Sequence, residues 1–262
     1  MRALLPVLLL VAPLSVFAQQ EQGPICLTDE RHAHVLATDS AYGIRTQVVE
    51  RMMRMARHPG AERGGELTIP VVVHIIHENG EENISDAVAI NGVAQLNEAF
   101  ANAGPYQVGT GTNTPIRFCL ATRSPEGLAT TGIEHIASPL TNVLVEAQDD
   151  QLKALSHWDP FHYLNIYVVR TITSAFVGEG VAGYAYLPAL HGSPTDGVAV
   201  EYLFFGGDDG MAKVTVHEVG HYLGLLHTFD GGCANNDCLT QGDLVCDTAP
   251  DGSSASGPCD GA

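Results

Sequence analysis

Three histidines and one glutamate occur in a short stretch whose spacing suits the binding of one metal ion. The stretch reads HEVGHYLGLLH from His217 to His227, which is the pattern H-E-x-x-H-x-x-G-x-x-H without a mismatch. His217 and His221 are four residues apart, so in a helix both imidazoles project from the same face. Glu218 is rotated from His217 by about 100°. Its carboxylate is therefore expected beside the ion, where it can hold a water, rather than on the ion.

The third histidine requires the chain to leave the helix. Residues 211–226 favour a helix, but continuing it from His221 to His227 would turn the chain through about 600°, away from the ligand face. Gly224 can adopt the left-handed conformation that ends a helix, after which His227 can return to the metal. Three neutral nitrogen ligands with one open position describe a catalytic zinc site. The alternative is a buried helix whose histidines are satisfied by hydrogen bonds.

The first 18 residues predict an export signal. A short basic start is followed by an apolar run, and Val16-Phe17-Ala18 offers small residues at the two positions that a signal peptidase reads. We therefore expect cleavage after Ala18 and a secreted protein. A membrane-spanning helix needs about 20 apolar residues, and neither this run nor any later stretch is long enough.

The charge of the chain is unevenly distributed. Of a net charge of −18, residues 19–63 contribute nothing, since six basic residues balance six acidic ones; from residue 64 onward there are five basic and twenty-four acidic residues. A neutral, arginine-rich leader on an acidic body suggests two parts with separate fates. The acidic body argues against binding to nucleic acid or to anionic membranes.

Residues 19–63 are predicted to be a pro-segment, ahead of a catalytic domain at 64–262. A helix is expected near residues 42–57, and an exposed nick site follows, with cleavage after an arginine in residues 57–63. A thiolate is a good zinc ligand, so Cys26 can occupy the open position of the metal site and keep the enzyme latent. The alternative for Cys26 is a disulfide, with Cys119 as the partner.

The body of the chain predicts an α/β domain. Ser85 is expected to cap a helix that runs to about residue 103, and Asp208 and Asp209 are acidic signals at the start of the zinc-site helix. His74 and His77 are three residues apart on the first strand and face opposite sides, so they cannot bind one ion together. Strands are predicted at 67–77, 115–121, 131–137, 163–170, 180–187 and 197–204, and a short helix at 149–155.

The zinc stretch and its surroundings resemble the metzincin zinc proteases, and in particular the pappalysin (cytophagalysin) family. HEVGHYLGLLHTF is followed by GGC and GDLVCDTAPD, and the upstream segments IPVVVHIIHENG, IRFCLATRSPEG, GYAYLP and DGVAVEYLFFG are similar in the same order. The resemblance covers the chain from Cys26 to its last residue. It implies the metzincin upper subdomain, a twisted, mainly parallel sheet with a backing helix and the zinc helix below.

The resemblance also implies how substrate and pro-segment bind. Residues 183–188 are the candidate edge strand, to which the main chain of a peptide or protein substrate would add. A pro-segment cysteine blocks the zinc site in this family and is usually followed by glycine, where this chain has Leu27. Metzincins also carry a methionine turn after the third histidine, but the methionines here are at positions 1, 52, 53, 55 and 211. We therefore expect the lower subdomain to be largely missing and the sequence to be cut short at Ala262.

The tail from residue 228 to the end contains no lysine or arginine but six aspartates. Its aspartates and glycines suit calcium, as is common in pappalysin-like enzymes, with Asp243 and Asp247 as candidates and solvated loop acids as the alternative. Four cysteines of an exported protein favour disulfides, with three possible connectivities, over a second zinc site. These cysteines are Cys233, Cys238, Cys246 and Cys259.

The predicted reaction is metal-assisted hydrolysis of peptide bonds. Zinc acidifies its water and polarises the scissile carbonyl, while Glu218 takes the proton of the water and passes it to the leaving amine. A catalytically idle zinc- and calcium-binding module is one alternative; the acidic tail suits it, but an intact Glu218 does not. A zinc hydrolase that acts on another bond is the second. The extended first strand and residues 183–188 favour a peptide.

Overall fold

The computed structural model describes residues 25–56, 65–234, 237–254 and 259. The predicted signal peptide at 1–18 and the predicted cleavage region at 57–63 lie outside these residues. Within the described part of the chain, no helix has the length and apolar character needed to cross a membrane.

The described residues form one mixed sheet of nine strands in which most neighbours are parallel. Its main path runs β3-β2-β6-β9-β8-β7-β5, while β4 also pairs with β2, and β1 pairs with β8. The pairings of β8 with β7 and β9 are antiparallel. The strands are β1 (Ile25–Cys26), β2 (Leu67–His77), β3 (Ile116–Leu120), β4 (Ile133–Ala137), β5 (Asn142–Leu144), β6 (Leu164–Val169), β7 (Thr171–Ser174), β8 (Gly178–Ala185) and β9 (Val198–Glu201).

Five α-helices accompany the sheet in the described residues. The Ser85 hydroxyl accepts a hydrogen bond from the Val88 N–H at the start of one, and the Asp208 carboxylate accepts from the N–H groups of Gly210 and Met211 at the start of another. Both capping predictions are thus confirmed. The helices are α1 (Thr28–Thr38), α2 (Ser40–Ala56), α3 (Asp86–Phe100), α4 (Val145–Lys153) and α5 (Asp209–Tyr222).

The central strands are buried on both faces, as strands of a largely parallel sheet are when helices cover both sides. On one face, residues of β2 such as Val73 pack with Leu96 of α3 and Val219 of α5. On the other, Ile76 packs with Leu152 of α4 and, from the predicted pro-segment, Leu27. α5 therefore packs on one face of the sheet, and Leu27 of the predicted pro-segment packs on the other.

The predicted mainly parallel sheet with a backing helix and a zinc-site helix is confirmed, with corrections at element ends. The predicted first strand, 67–77, has the same bounds as β2. The zinc-site helix ends at Tyr222 rather than at residue 226, since Gly224 with φ of 101° reverses the chain there. Residues 197–204 are not one strand, because β9 stops at Glu201 and a 3-10 turn follows. The helix predicted at 149–155 begins earlier, at Val145.

Four elements were not predicted from the sequence: β1, β5, β7 and α1. β5 and β7 have three and four residues, too few to establish an alternating pattern. α1 begins after Leu27, which provides no side-chain cap. The prediction that the lower subdomain is largely missing stays a prediction.

The two histidines of the first strand have structural partners. The buried ring of His74 contacts Glu134 Oε2 through Nδ1 at 2.8 Å and Asn165 Oδ1 through Nε2 at 2.9 Å. The Nδ1 atom of His77 accepts a hydrogen bond from the N–H of Asn79 at 3.2 Å. These contacts support structural roles for both side chains.

A buried carboxylate holds the turn after β2. Glu82 is 1% exposed, and its carboxylate accepts hydrogen bonds from the N–H groups of Glu78 and Gly80 and from the Arg170 guanidinium. Burial alone would raise the pKa of Glu82, but the hydrogen bonds to the ionised form outweigh it and lower this pKa to about 2.

We predict that Glu82→Gln lowers the free energy of unfolding at pH 7 by about 1–3 kcal/mol, because the charged acceptor of several buried donors is lost. The folded-state pKa lies below the unfolded value of about 4.3. The stabilisation is therefore complete above that pH and is lost as the pH falls toward 2. Urea unfolding of both proteins across this range measures the difference, with the exposed Glu179→Gln as control. A difference that does not shrink in acid would contradict the assignment.

Candidate metal centre

The end of α5 and the reversal after it bring three imidazoles together. The Nε2 atoms of His217 and His221 are 2.9 Å apart, and that of His227 lies 3.1 Å from the first and 3.2 Å from the second. The positive φ of Gly224 makes this convergence possible because it ends the helix and turns the chain back. The geometry expected from the spacing is thus present.

The donor set fits a tetrahedral zinc ion. Zinc–nitrogen bonds of about 2.0–2.1 Å place tetrahedral ligand atoms about 3.3 Å apart, close to the spacing of the three Nε2 atoms. Cys26 provides a fourth donor, because its Sγ atom and the three nitrogens all lie within 4.8 Å of one another. Burial, with the neighbouring His217 and His227, lowers the pKa of His221 to about 4, which keeps this ring neutral as a ligand must be.

The predicted pro-segment places Cys26 by pairing with β8. Strand β1 runs parallel to β8 with Cys26 opposite Gly183, and the N–H of Leu27 donates to the Gly183 carbonyl at 3.1 Å. The next residue, Thr28, exchanges hydrogen bonds with Ala185: its Oγ1 accepts from the N–H and donates to the carbonyl. The predicted pro-segment therefore occupies main-chain groups of Gly183 and Ala185, in the part of the candidate substrate segment 183–188 that belongs to β8.

Glu218 lies beside the imidazoles in a fully buried position. Its Oε2 atom is 3.6 Å from Cys26 Sγ and accepts a hydrogen bond from Thr28 Oγ1 at 3.1 Å. Burial raises the pKa of Glu218 to about 7. Burial and then the Glu218 charge raise the pKa of the Cys26 thiol, a shift that a bound cation would oppose.

A glycine in β8 makes room for this carboxylate. A Cβ atom at position 183 would lie 2.9 Å from Cγ of Glu218 and 3.0 Å from the Ala199 carbonyl oxygen. The first distance is too short for two carbon atoms, and the second is a tight contact between carbon and oxygen, so a side chain at this position would force its neighbours to move. Gly183 therefore lets the general-base candidate lie against the sheet.

Two residues next to Cys26 also contact the site, and sequence reasoning did not single them out. Thr28 donates to Glu218, and Asp29 Oδ2 lies 2.8 Å from Nδ1 of His227. His221 has its own partner, since its Nδ1 lies 2.7 Å from the Leu225 carbonyl. Thr28 and Asp29 follow the candidate ligand Cys26 by two and three residues. This proximity was the available signal, because neighbours of a ligand often hold other ligands in place.

A cavity of about 480 Å³ adjoins the imidazoles. It lies between Phe100 at the end of α3, the His217 face of α5 and the chain from Leu225 to Phe229. Most of its wall is apolar, so a substrate side chain could lie next to the metal ligands there.

The tail cysteines form disulfides, as predicted. Cys233 pairs with Cys259, and Cys238 pairs with Cys246, which selects one of the three connectivities and removes these thiols from a second zinc site. Cys26 and Cys119 are free thiols. The alternative disulfide between those two is therefore wrong.

The two calcium candidates, Asp243 and Asp247, do not belong to the group of side chains with metal-binding spacing in the described residues. Asp243 is buried, and its carboxylate accepts a hydrogen bond from the N–H of Val245 at 2.9 Å, while Asp247 is exposed. Among the described residues, one group of histidine, cysteine or acidic side chains has the spacing for a shared ion, and it contains neither aspartate. Calcium at Asp243 and Asp247 stays a prediction.

Comparisons with known proteins agree with this geometry. The family profile described as pregnancy-associated plasma protein-A matches residues 146–261. An extracellular metalloprotease of Pyricularia oryzae is 29% identical over 75% of this chain and 62% of its own length. Extracellular metalloprotease 1 of Coccidioides posadasii is 40% identical over 36% of this chain and 33% of its own length. The chain thus spans less than two thirds of the length of each of these two relatives.

Two solved structures from Tannerella forsythia are similar over most of the chain. A promirolysin mutant matches with a TM-score of 0.68 and 28% identity, over 87% of this chain and 76% of that one. Mature mirolysin in complex with a cleaved peptide matches with a TM-score of 0.62 and 30% identity, over 72% of this chain and 74% of that one. With the converging histidines, this similarity establishes that the chain belongs to the pappalysin family of metalloproteases.

Proposed function

We propose that this chain is the latent precursor of a secreted zinc endopeptidase. The observation that carries the proposal is the convergence of three histidine Nε2 atoms beside a fully buried glutamate. The relatives named extracellular metalloproteases support secretion. They also support a reaction on peptide bonds.

His217, His221 and His227 would hold the zinc ion, which supplies a Lewis acid that acidifies water and polarises a carbonyl. Glu218 is proposed as the general base: its carboxylate accepts a proton from the attacking water and later donates it to the nitrogen of the leaving amine. In the uncleaved chain, burial raises the pKa of Glu218 to about 7.

The substrate is proposed to bind as an added strand along residues 183–188. The carbonyl of Gly183 and the N–H and carbonyl of Ala185 now interact with the pro-segment. Removing that segment would free these groups for the main chain of a peptide. A peptide is therefore favoured over other hydrolysable substrates, which seldom present a regular row of donors and acceptors.

Latency is proposed to come from residues 19–63, with Cys26 as the ligand that blocks the zinc site. Cys26 Sγ lies with the three imidazole nitrogens, and the same segment covers β8 and contacts Glu218. Cleavage after an arginine in residues 57–63 would separate the segment from the domain at 64–262.

A catalytically idle zinc- and calcium-binding module is the alternative of a different class. It would make use of the three histidines and the acidic tail, but it gives no reason for a carboxylate buried beside them. Cleavage of a peptide panel by the activated protein, compared with an ester panel, separates endopeptidase, other hydrolase and idle module. The panel should include peptides of at least eight residues, so that strand addition is possible.

We predict one tightly bound zinc per chain, and its loss in His221→Ala, since removing one of the ligands leaves an incomplete site. Metal analysis after dialysis of the full chain measures the stoichiometry. His162→Ala, which changes an exposed histidine, is the matched control and should keep the metal. Equal zinc content in His221→Ala and the control would contradict the site.

We predict that Glu218→Gln keeps zinc but lowers kcat of the activated protein at least about 100-fold, because the amide cannot accept the proton. Cleavage of a fluorogenic peptide measures the rate, and zinc content is measured on the same sample. Glu66→Gln, at an exposed glutamate, should leave both unchanged. Undiminished cleavage by Glu218→Gln would contradict the assignment of Glu218 as the general base.

We predict that Cys26→Ala raises the activity of the uncleaved chain toward small peptides, because the fourth ligand position becomes open. The exposed free cysteine gives a matched control, so Cys119→Ala should stay as latent as the parent chain. The assay compares initial rates with gel analysis that verifies an intact chain. Equal latency of both variants would show that the Cys26 thiol is not needed for latency.

A further inference from the structure

One ligand of the candidate zinc site is held by a residue of the pro-segment itself. Asp29 lies in the first turn of α1, three residues after Cys26, and its Oδ2 atom is 2.8 Å from Nδ1 of His227. The side chain of His227 is 10% exposed and that of Asp29 is 55% exposed. The carboxylate thus lies at the edge of the site, with its polar end directed at the ligand ring.

The contact between Asp29 and Nδ1 of His227 affects how the opposite ring nitrogen, Nε2, binds a metal. All three rings converge through Nε2, so each must carry its ring proton on Nδ1 when it binds a metal. A hydrogen-bond acceptor for that N–H fixes the tautomer and makes the ligand nitrogen more basic. In His221 the acceptor is the Leu225 carbonyl, which belongs to the catalytic domain. In His227 the acceptor is Asp29, which belongs to the segment that activation removes.

A second contact of His227 restrains the plane of its ring without accepting a hydrogen bond from it. The ring stacks on Phe229, with centroids 4.5 Å apart and planes 12° apart. Phe229 is part of the catalytic domain and is apolar, so it can hold the ring plane but cannot accept the Nδ1 proton. Phe229 thus restrains the ring plane from within the predicted catalytic domain, while the hydrogen-bond partner of Nδ1 comes from the predicted pro-segment.

We propose that Asp29 is a positioning residue through which the pro-segment strengthens zinc binding at His227. The inference rests on the proposed zinc site. Cys26 would act on the metal directly and Asp29 through the third histidine, so the latent chain holds zinc more tightly than the thiolate alone explains. Loss of a partner of this type weakens metal affinity by about 10- to 100-fold.

The test measures the zinc affinity of the full, uncleaved chain by competition with a chromophoric chelator. Asp29→Ala should weaken binding by about 10- to 100-fold. Asp29→Asn should fall between it and the parent chain, because the amide oxygen still accepts the Nδ1 proton but carries no charge. The matched control is Asp39→Ala, which removes an exposed aspartate of the same segment that pairs with Arg45; its affinity should equal that of the parent.

A spectroscopic readout distinguishes positioning from simple loss of docking. In the cobalt-substituted protein, the charge-transfer band of a coordinated thiolate reports on Cys26. If Asp29→Ala weakens metal binding and keeps this band, Asp29 acts through His227 as inferred. If the band disappears together with the affinity, the aspartate merely docks the segment and the inference is overturned.

The failure of this inference can be told apart from failure of the proposed function. A parent chain that binds no zinc would refute the zinc site, and with it both proposals. A parent chain that binds one zinc, with Asp29→Ala binding it equally well, would refute the role of Asp29 alone.

Discussion

The chemistry of this molecule depends on the reversal of the chain directly after α5. Without it, His227 would follow the helix away from His217 and His221, and two imidazoles would be a weak site. Gly224 accepts the positive φ of 101° that the reversal needs, and the N–H of Leu225 then bonds to the Gly220 carbonyl. The other parts of the structure hold this turn in place: the sheet positions α5, and β8 runs beside the carboxylate that the helix presents.

Much of this arrangement could be predicted because its causes are local in the sequence. The spacing of the histidines gives their common face, Ser85 and Asp208 mark helix starts, and the continuous apolar run of β2 identifies a central strand. The end of α5 was placed four residues too late, because the pattern of apolar residues continues past Tyr222 while the backbone conformation changes. Sequence periodicity reports side-chain placement, and a reversal at a glycine is a property of the backbone.

The features that could not be predicted are contacts between residues far apart in sequence. Thr28 reaches Glu218 over 190 positions, and Asp29 reaches His227 over 198. No periodicity connects such residues, and each belongs to a residue type that is common on helix surfaces. The pairing of four tail cysteines is similar, since spacing allows three connectivities and the fold selects one. The sequence identifies ligands well and identifies the residues that support them poorly.

The burial of Leu27 has a consequence for the stability of the fold. This side chain is fully buried and packs with Ile76, Val181 and Tyr184 in the core on one face of the sheet. Withdrawing a leucine from such a position costs about 1.5–3 kcal/mol and leaves apolar surface open to water. Residues 25–28 therefore contribute to the stability of the folded chain as well as covering Glu218. If the proposed cleavage removes them, we expect the remaining domain to be less stable than the uncleaved chain.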